Sequence, residues 1–260
     1  MRNWVIVLAL TLGGAATVAP AQDSNRVTAA EASDAAALQV LRQMCDVYTK
    51  ASSMSYEAEL VSYRTGAKGK TSDKDRIVIK AEIAIEKPNL LRIDVMSDSP
   101  GMVGTLVCDG EKVWQYAKDD NRYTSSPAPS EPDLIRGTLA GLAQFARQLP
   151  LAKDPYARMM DDGSFYTIQS PDKLGDVECD VIRRASPQGW SMLIWVDRER
   201  HLVQQTRLEY VVPEGRQILI MKRSKIRIAP KLSPDVFRFV PPRDAQLIPE
   251  PPSLGIPSGG

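Results

Sequence analysis

The chain holds one histidine, His201, in the stretch Asp197-Arg198-Glu199-Arg200-His201 at a turn into a strand. A serine or cysteine hydrolase of the common kind needs such a residue as the base that activates its nucleophile. No G-x-S-x-G elbow or comparable nucleophile motif accompanies it, and at a turn it reads as a solvated side chain. Cys45, Cys108 and Cys179 are too scattered to form a C-x-x-C pair or, with a single histidine, a zinc ligand set. They read as small buried apolar side chains. The segment TGAKGKTS, residues 65–72, looks like a phosphate loop, but the glycine required five positions before Gly69 is Arg64, and a strand pattern rather than a helix follows. The carboxylate pairs Asp119-Asp120 and Asp161-Asp162 sit in turns, where solvated acids are usual. Asp109 precedes Gly110, a pair suited to the positive backbone angles of a tight hairpin, so Asp109 is expected to serve the turn rather than a reaction. These residues predict no catalytic site, no metal and no cofactor.

The N-terminus carries an address. Arg2 precedes the apolar run Trp4 to Leu10, which gives way to small residues ending in Ala19-Pro20-Ala21. That is the charged start, apolar middle and A-x-A exit of a secretory signal peptide, expected to span residues 1–21 and to be cleaved after Ala21. The run falls short of the roughly 20 apolar residues that a membrane span needs. Cleavage removes Arg2, so the 33 basic and 32 acidic residues become 32 and 32. Such a neutral chain lacks the basic excess that draws proteins to nucleic acid or to an anionic membrane surface. The remaining 239 residues (260 minus 21) suit one large β domain.

Elements follow from period. Residues 22–36 are small and polar, and 249–260 hold four prolines and three glycines. They are expected to be a flexible N-terminal segment and a disordered tail on either side of a domain spanning 37–248. Ala37, Leu38, Leu41, Met44, Cys45 and Tyr48 recur at helical spacing, a face that packs on a sheet. The period then changes to two: Ile77, Ile79, Ala81, Ile83 and Ile85 alternate with Val78, Lys80, Glu82, Ala84 and Glu86, and after Pro88-Asn89 so do Leu91, Ile93 and Val95 with Arg92, Asp94 and Met96. Strands are predicted again over 105–108, 113–116 and 122–124. Leu134, Ile135, Leu139, Leu142, Phe145 and Ala146 mark a helix ending at Pro150, and a shorter one is expected over 155–160. Five more strands follow over 165–169, 177–184, 190–196, 202–212 and 216–228. The fold class is therefore α+β, mainly β: an antiparallel sheet of about ten or eleven strands, enough to curl, with helices over one face.

The segment AEIAIEKPNLLRIDVMSDSPGMVGTLVCDGEKVWQYAKDDNRY resembles the central part of the periplasmic outer-membrane lipoprotein carriers, the LolA-like superfamily. Shared features are the basic residue plus Pro-Asn-Leu at Lys87 to Leu90, the alternating strand beyond it, and the hairpin Asp109-Gly110 with Trp114 and Tyr116. Phe237, Phe239, Pro241 and Pro242 are similar to the family's closing Phe-x-Phe-x-Pro-Pro strand. The resemblance implies a periplasmic protein, a strongly curved, unclosed half-barrel, helices as a lid over its concave face, and a cavity for the acyl chains of lipoproteins or lipids. Its lining is expected to come from Ile83, Ile85, Leu91, Ile93, Val95, Leu106, Trp114 and Tyr116 on the sheet and Leu139, Leu142 and Phe145 on the lid. Met96, Met102, Met159, Met160, Met192 and Met221 offer flexible thioethers that adapt to a lipid. Lys87 stands where the carriers have an arginine that hydrogen-bonds to the lid helices. The implied partners are an acylated lipoprotein or lipid, received from and delivered to inner- and outer-membrane transfer proteins by a monomer. Two alternatives stay open: the same alternation describes an ordinary packed core, and the same half-barrel serves envelope sensors or scaffolds that bind a protein partner.

Overall fold

The computed structural model describes residues 33–66, 76–97, 103–129, 150–213 and 215–249. The expected signal peptide, the helix carrying Leu139, Leu142 and Phe145, Met102, and most of both TGAKGKTS and the Pro/Gly tail lie outside the described residues.

Helix α1, Ala35–Lys50, buries Ala37, Leu41, Met44, Cys45 and Tyr48, the stripe expected from its period. It starts two residues before the expected domain boundary. Ser33 and Asp34 are tied to a strand: the Asp34 amide donates to the Tyr166 carbonyl at 2.9 Å, and the Tyr166 and Ile168 amides donate to Ser33 Oγ and Asp34 Oδ2, each at 2.9 Å. Helix α2, Pro155–Met160, opens with proline at its first position and Asp154 accepting from the Ala157 amide at 2.8 Å.

Among the described residues twelve strands form one sheet: β1 Ser53–Thr65, β2 Ile77–Glu86, β3 Leu90–Ser97, β4 Gly104–Asp109, β5 Lys112–Ala117, β6 Arg122–Pro127, β7 Phe165–Leu174, β8 Val177–Ala185, β9 Ser191–Asp197, β10 Val203–Val212, β11 Gly215–Ile228 and β12 Gln246–Leu247. Their order is β12-β6-β5-β4-β3-β2-β1-β11-β10-β9-β8-β7, antiparallel throughout except for β12, which lies parallel to β6. The two edges, β7 and β12, do not pair, so the sheet is unclosed.

The expected strands are present, and the sheet has one more in its middle. Strand β1 pairs with β2 on one side and β11 on the other, and so joins the two meanders. Its signal was available in the alternation of Met54, Tyr56, Ala58 and Leu60 with Ser55, Glu57 and Glu59. The expected closing strand is different: Pro234–Phe237 is a turn of 3-10 helix, and Phe239 lies in irregular chain before β12. One large apolar cluster fills the side of the sheet under α1 and α2, termed here the inner face. Burying each of its large aliphatic side chains is worth about 1.5–3 kcal/mol.

Candidate functional site

Cross-strand register decides which side chains meet. Tyr56, Ile83, Ile93 and Leu106 lie in one row across β1 to β4, and Ala58, Ala81 and Val95 in the next. Because side chains alternate, every second residue of these strands shares the inner face. There Ala58, Leu60, Ile79, Ala81, Ile83, Ile93 and Met221 line an apolar depression of about 280 Å³, counting the space that opens to solvent. The alanines make it: Ala58 and Ala81 are direct partners in a face otherwise filled by Ile, Leu and Met, and their short side chains leave the hollow. The space it actually encloses is about 10 Å³, room for a single water and far below the roughly 300–1,000 Å³ of sites that enclose a small ligand.

Of the expected lining, Ile83 and Ile93 border this depression. Ile85, Leu91, Val95 and Leu106 share the inner face, buried in the apolar cluster beside it. Ala58, Leu60, Ile79 and Ala81 complete the lining with Met221, the first two from β1 and the next two from the alternating face of β2. Trp114 and Tyr116 require a correction, because the register Cys108 with Val113 turns Val113, Gln115 and Ala117 inward and these two rings outward. On the outer face Phe239 stacks on Trp114 with centroids 5.5 Å apart and packs against Tyr116 at 6.2 Å and Tyr123 at 5.8 Å. Among the methionines, Met221 borders the depression and Met159 and Met160 are buried, whereas Met96 points outward and is 47% exposed.

Polar groups rim the inner face. Lys87, at the end of β2, donates from Nζ to the main-chain carbonyls of Tyr48 at 2.7 Å and Thr49 at 2.9 Å. These are carbonyls of the last turn of α1, which have no partner within the helix and carry the negative end of its dipole. Partial burial pulls the ammonium below the ordinary lysine range. Farther along, the Arg223 guanidinium lies 5.7 Å from the centroid of the buried Tyr56 ring. Burial pushes the Tyr56 hydroxyl up to about 12 while Arg223 pulls it back, so the phenol is neutral and a donor. Arg184 is packed between the rings of Trp190 at 5.0 Å and Tyr166 at 5.8 Å and pairs with Asp162 at 3.0 Å. Burial alone would raise the Asp162 carboxyl, but Arg184 and the hydrogen bonds from Ser164 and Arg184 outweigh it and hold the acid below its usual range.

The residues considered for chemistry are used structurally. Asp109 Oδ1 accepts from the amides of Glu111 at 3.0 Å and Lys112 at 2.7 Å, and Oδ2 accepts from the Trp114 indole at 2.9 Å. Burial would raise this carboxyl, yet these three donors together lower it. Gly110 beside it has φ +94°, as the hairpin requires. His201 has φ 53° in the turn between β9 and β10, and its amide donates to the Asp197 carbonyl at 2.8 Å. All three cysteines are buried free thiols, and burial, with Asp154 and Asp46 nearby, pushes Cys45 up to about 12, well away from a reactive thiolate. Among the described residues no three His, Cys, Asp or Glu side chains gather as a metal site.

Comparison with solved structures finds distant likenesses. An uncharacterized conserved protein from Thermus thermophilus is 11% identical, with 83% of this chain and 99% of that one covered and a TM-score of 0.48. A LolA superfamily protein from Nitrosomonas europaea is 8% identical over 78% of this chain and 97% of that one, with a TM-score of 0.35. For the MucA/MucB complex of Pseudomonas aeruginosa the figures are 13%, 79% and 62%, with a TM-score of 0.42. No curated protein matches. Residues 37–249 match one family model, leaving out only the first four described residues, and on that match the protein belongs to the family described as "Predicted periplasmic protein (DUF2092)".

Proposed function

We propose that this periplasmic protein binds acyl chains on the inner face of its half-barrel and carries lipoproteins or lipids toward the outer membrane, without catalysis. The observation that carries this reading is the wholly apolar wall of Ala58, Ala81, Ile83 and Met221 on the inner face, with a small gap over the two alanines where a side chain could be displaced by a hydrocarbon chain. The physical need is plain: each methylene moved out of water is worth about 0.8 kcal/mol, so an acyl chain crosses an aqueous compartment only when covered. Contacts with Ile, Leu and Met are non-directional and let a chain slide in and out without nucleotide.

Entry of a full-length chain requires more room than the depression offers. In this reading α1 shifts over the sheet, and Lys87 is the latch that holds its C-terminal end in the closed state. Delivery then depends on inner- and outer-membrane transfer proteins that bind the monomer and exchange its cargo.

The test is to purify the protein from a periplasmic extract under gentle conditions and to analyse it by native and denaturing mass spectrometry. The expected result is a bound phospholipid or acylated lipoprotein that detergent displaces. An empty protein that also takes up no fluorescent fatty-acid probe would overturn the carrier in favour of a sensor or scaffold that binds a protein partner.

A further inference from the structure

Helix α1 is held at both ends, and the two ends are built differently. At its C-terminal end the chain passes into β1 through Ala51 and Ser52 alone. Around that corner the Lys87 amide donates to the Ser52 carbonyl at 2.9 Å, Lys87 Nζ reaches the Tyr48 and Thr49 carbonyls, and the Tyr48 hydroxyl accepts from the Val203 amide at 3.1 Å. This end is tied to the middle of the sheet by the covalent chain as well as by these bonds. The N-terminal end lies about 24 Å away, sixteen residues at a rise of about 1.5 Å each. It rests on β7, an edge strand, through Ser33 and Asp34.

Asp34 stands at the N-cap position of α1, with extended backbone at φ −64° and ψ 132°. An aspartate there ordinarily accepts from an amide two or three residues on, because the amides of the first turn have no carbonyl partner within the helix. Asp154 does so at the head of α2, where it accepts from the Ala157 amide. Asp34 does not. Its side chain makes no bond to its own helix, and Oδ2 accepts from the Ile168 amide at 2.9 Å instead. That amide lies on the side of β7 that no strand of the sheet pairs. The carboxylate therefore has two alternative donors, one on β7 and one on α1 itself. Lifting the helix gives up the first and makes the second available, which lowers the cost of lifting.

We infer that α1 is a hinged lid that opens at its N-terminal end, with the Asp34 side chain as the switch. Closed, it accepts from Ile168 on β7; open, it caps α1 through the Ala36 or Ala37 amide, while Lys87 and the Tyr48 hydroxyl hold the pivot. The helix packs on β7, β8 and α2, so opening bares Ala37, Leu41 and Met44 on one side and Ile182 on the other, all fully buried when closed. This apolar surface adds to the inner face the room that the small gap lacks. The inference rests on the shift of α1 in the acyl-chain reading above and names the end that moves.

The experiment takes two readouts on the purified protein without lipid: amide hydrogen exchange by mass spectrometry, and the rate at which a maleimide labels each cysteine. In the wild type the Tyr166 and Ile168 amides and the first turn of α1 are expected to exchange together, at least tenfold faster than the Val203 amide at the pivot. Asp34→Ser keeps a capping oxygen but is too short to span to Ile168. It is expected to speed labelling of Cys45, on the buried stripe of α1, about tenfold, the effect of losing a hydrogen bond to a charged group. Cys179, buried in a separate apolar cluster with Val181 and Trp195, is expected to label at the wild-type rate. Asp34→Asn, with an acceptor of the same reach, should stay close to wild type in both readouts. Exchange at Val203 as fast as at Ile168 in the wild type would overturn the hinge, and unchanged labelling of Cys45 in Asp34→Ser would overturn the switch. Equal acceleration at Cys45 and Cys179 would also overturn it, since that marks general loosening. Opening without uptake of a fluorescent fatty-acid probe would overturn the carrier and leave the hinge standing, whereas uptake by a protein whose α1 stays closed would do the reverse.

Discussion

Lys87 Nζ lies 2.7 Å from the main-chain carbonyl oxygen of Tyr48, joining the end of β2 to the end of α1. The bond adds to the apolar stripe of α1 and to the hydrogen bond that the Val203 amide donates to the Tyr48 hydroxyl at 3.1 Å. A charged donor at the helix C-terminus adds direction and complements the dipole.

Replacing this residue tests the closed state. Lys87→Met is expected to lower stability by about 1 kcal/mol in urea unfolding, and to speed amide hydrogen exchange in the last turn of α1 more than in β1. Lys87→Arg should restore both. Unchanged exchange at α1 in the methionine variant would show that the end of the helix is held without the Lys87 bond.

The depression can be filled without adding charge. Ala81→Leu adds three carbons where the hollow lies between Ala58 and Ile83. Affinity for a fluorescent fatty-acid probe is expected to fall at least tenfold, with a stability cost of about 1–3 kcal/mol as the added carbons crowd the small gap. Retained affinity would put the chain elsewhere. By contrast Trp114→Ala, on the outer face, should leave probe binding as it was.

Asp109 offers a test of the hairpin. It is expected that Asp109→Ala, which removes acceptors from the Trp114 indole and from two turn amides, costs about 1–2 kcal/mol. Tryptophan fluorescence should report the loosened indole, and probe affinity should stay level. A loss of binding with no loss of stability would instead assign Asp109 a role in function.

Acid sensitivity follows from Asp162. Its folded-state value is depressed below the 3.8 of the unbonded acid, so near pH 4 the folded chain binds fewer protons than the unfolded one. The pair with Arg184 therefore contributes fully above about pH 4, and its contribution is lost as pH falls through the lower folded value. Asp162→Asn is expected to destabilise by roughly 2 kcal/mol at pH 7, because it leaves the Arg184 cation buried without its counter-charge. The difference from wild type should shrink in unfolding curves taken from pH 7 down to pH 2. A pH-independent difference would mean that geometry, not charge, is what the pair supplies.

Legibility from the sequence varied with range. The alternation in β2 and β3 and the Asp109-Gly110 turn were readable because their causes lie within a few residues: side-chain period and backbone angle. Strand β1 carries the same alternation, but it lies directly after the helix, where the change of period from Tyr48 to Ser53 leaves few residues to separate the two. The facing of Trp114 and Tyr116 was not readable, because alternation separates two faces without saying which one the helices cover. Here both faces are covered, since the segment from Pro234 to Leu247 lays Phe237 and Phe239 on the outer side of β3, β4 and β5.

By itself the sequence determined the local chemistry and local shape: no assembled catalytic or metal motif, an amphipathic helix, strands of period two and the turns between them. These follow from residue types at short spacing. Only the tertiary structure decided which residues become neighbours. The pairing of β1 with β11 sets Arg223 against Ala58, the meeting of β2 with α1 sets Lys87 on the Tyr48 carbonyl, and the packing of the C-terminal segment turns the Trp114 face into an outer core. The reason is that register between distant strands is chosen by the whole set of buried faces at once, and no single stretch of chain contains that choice.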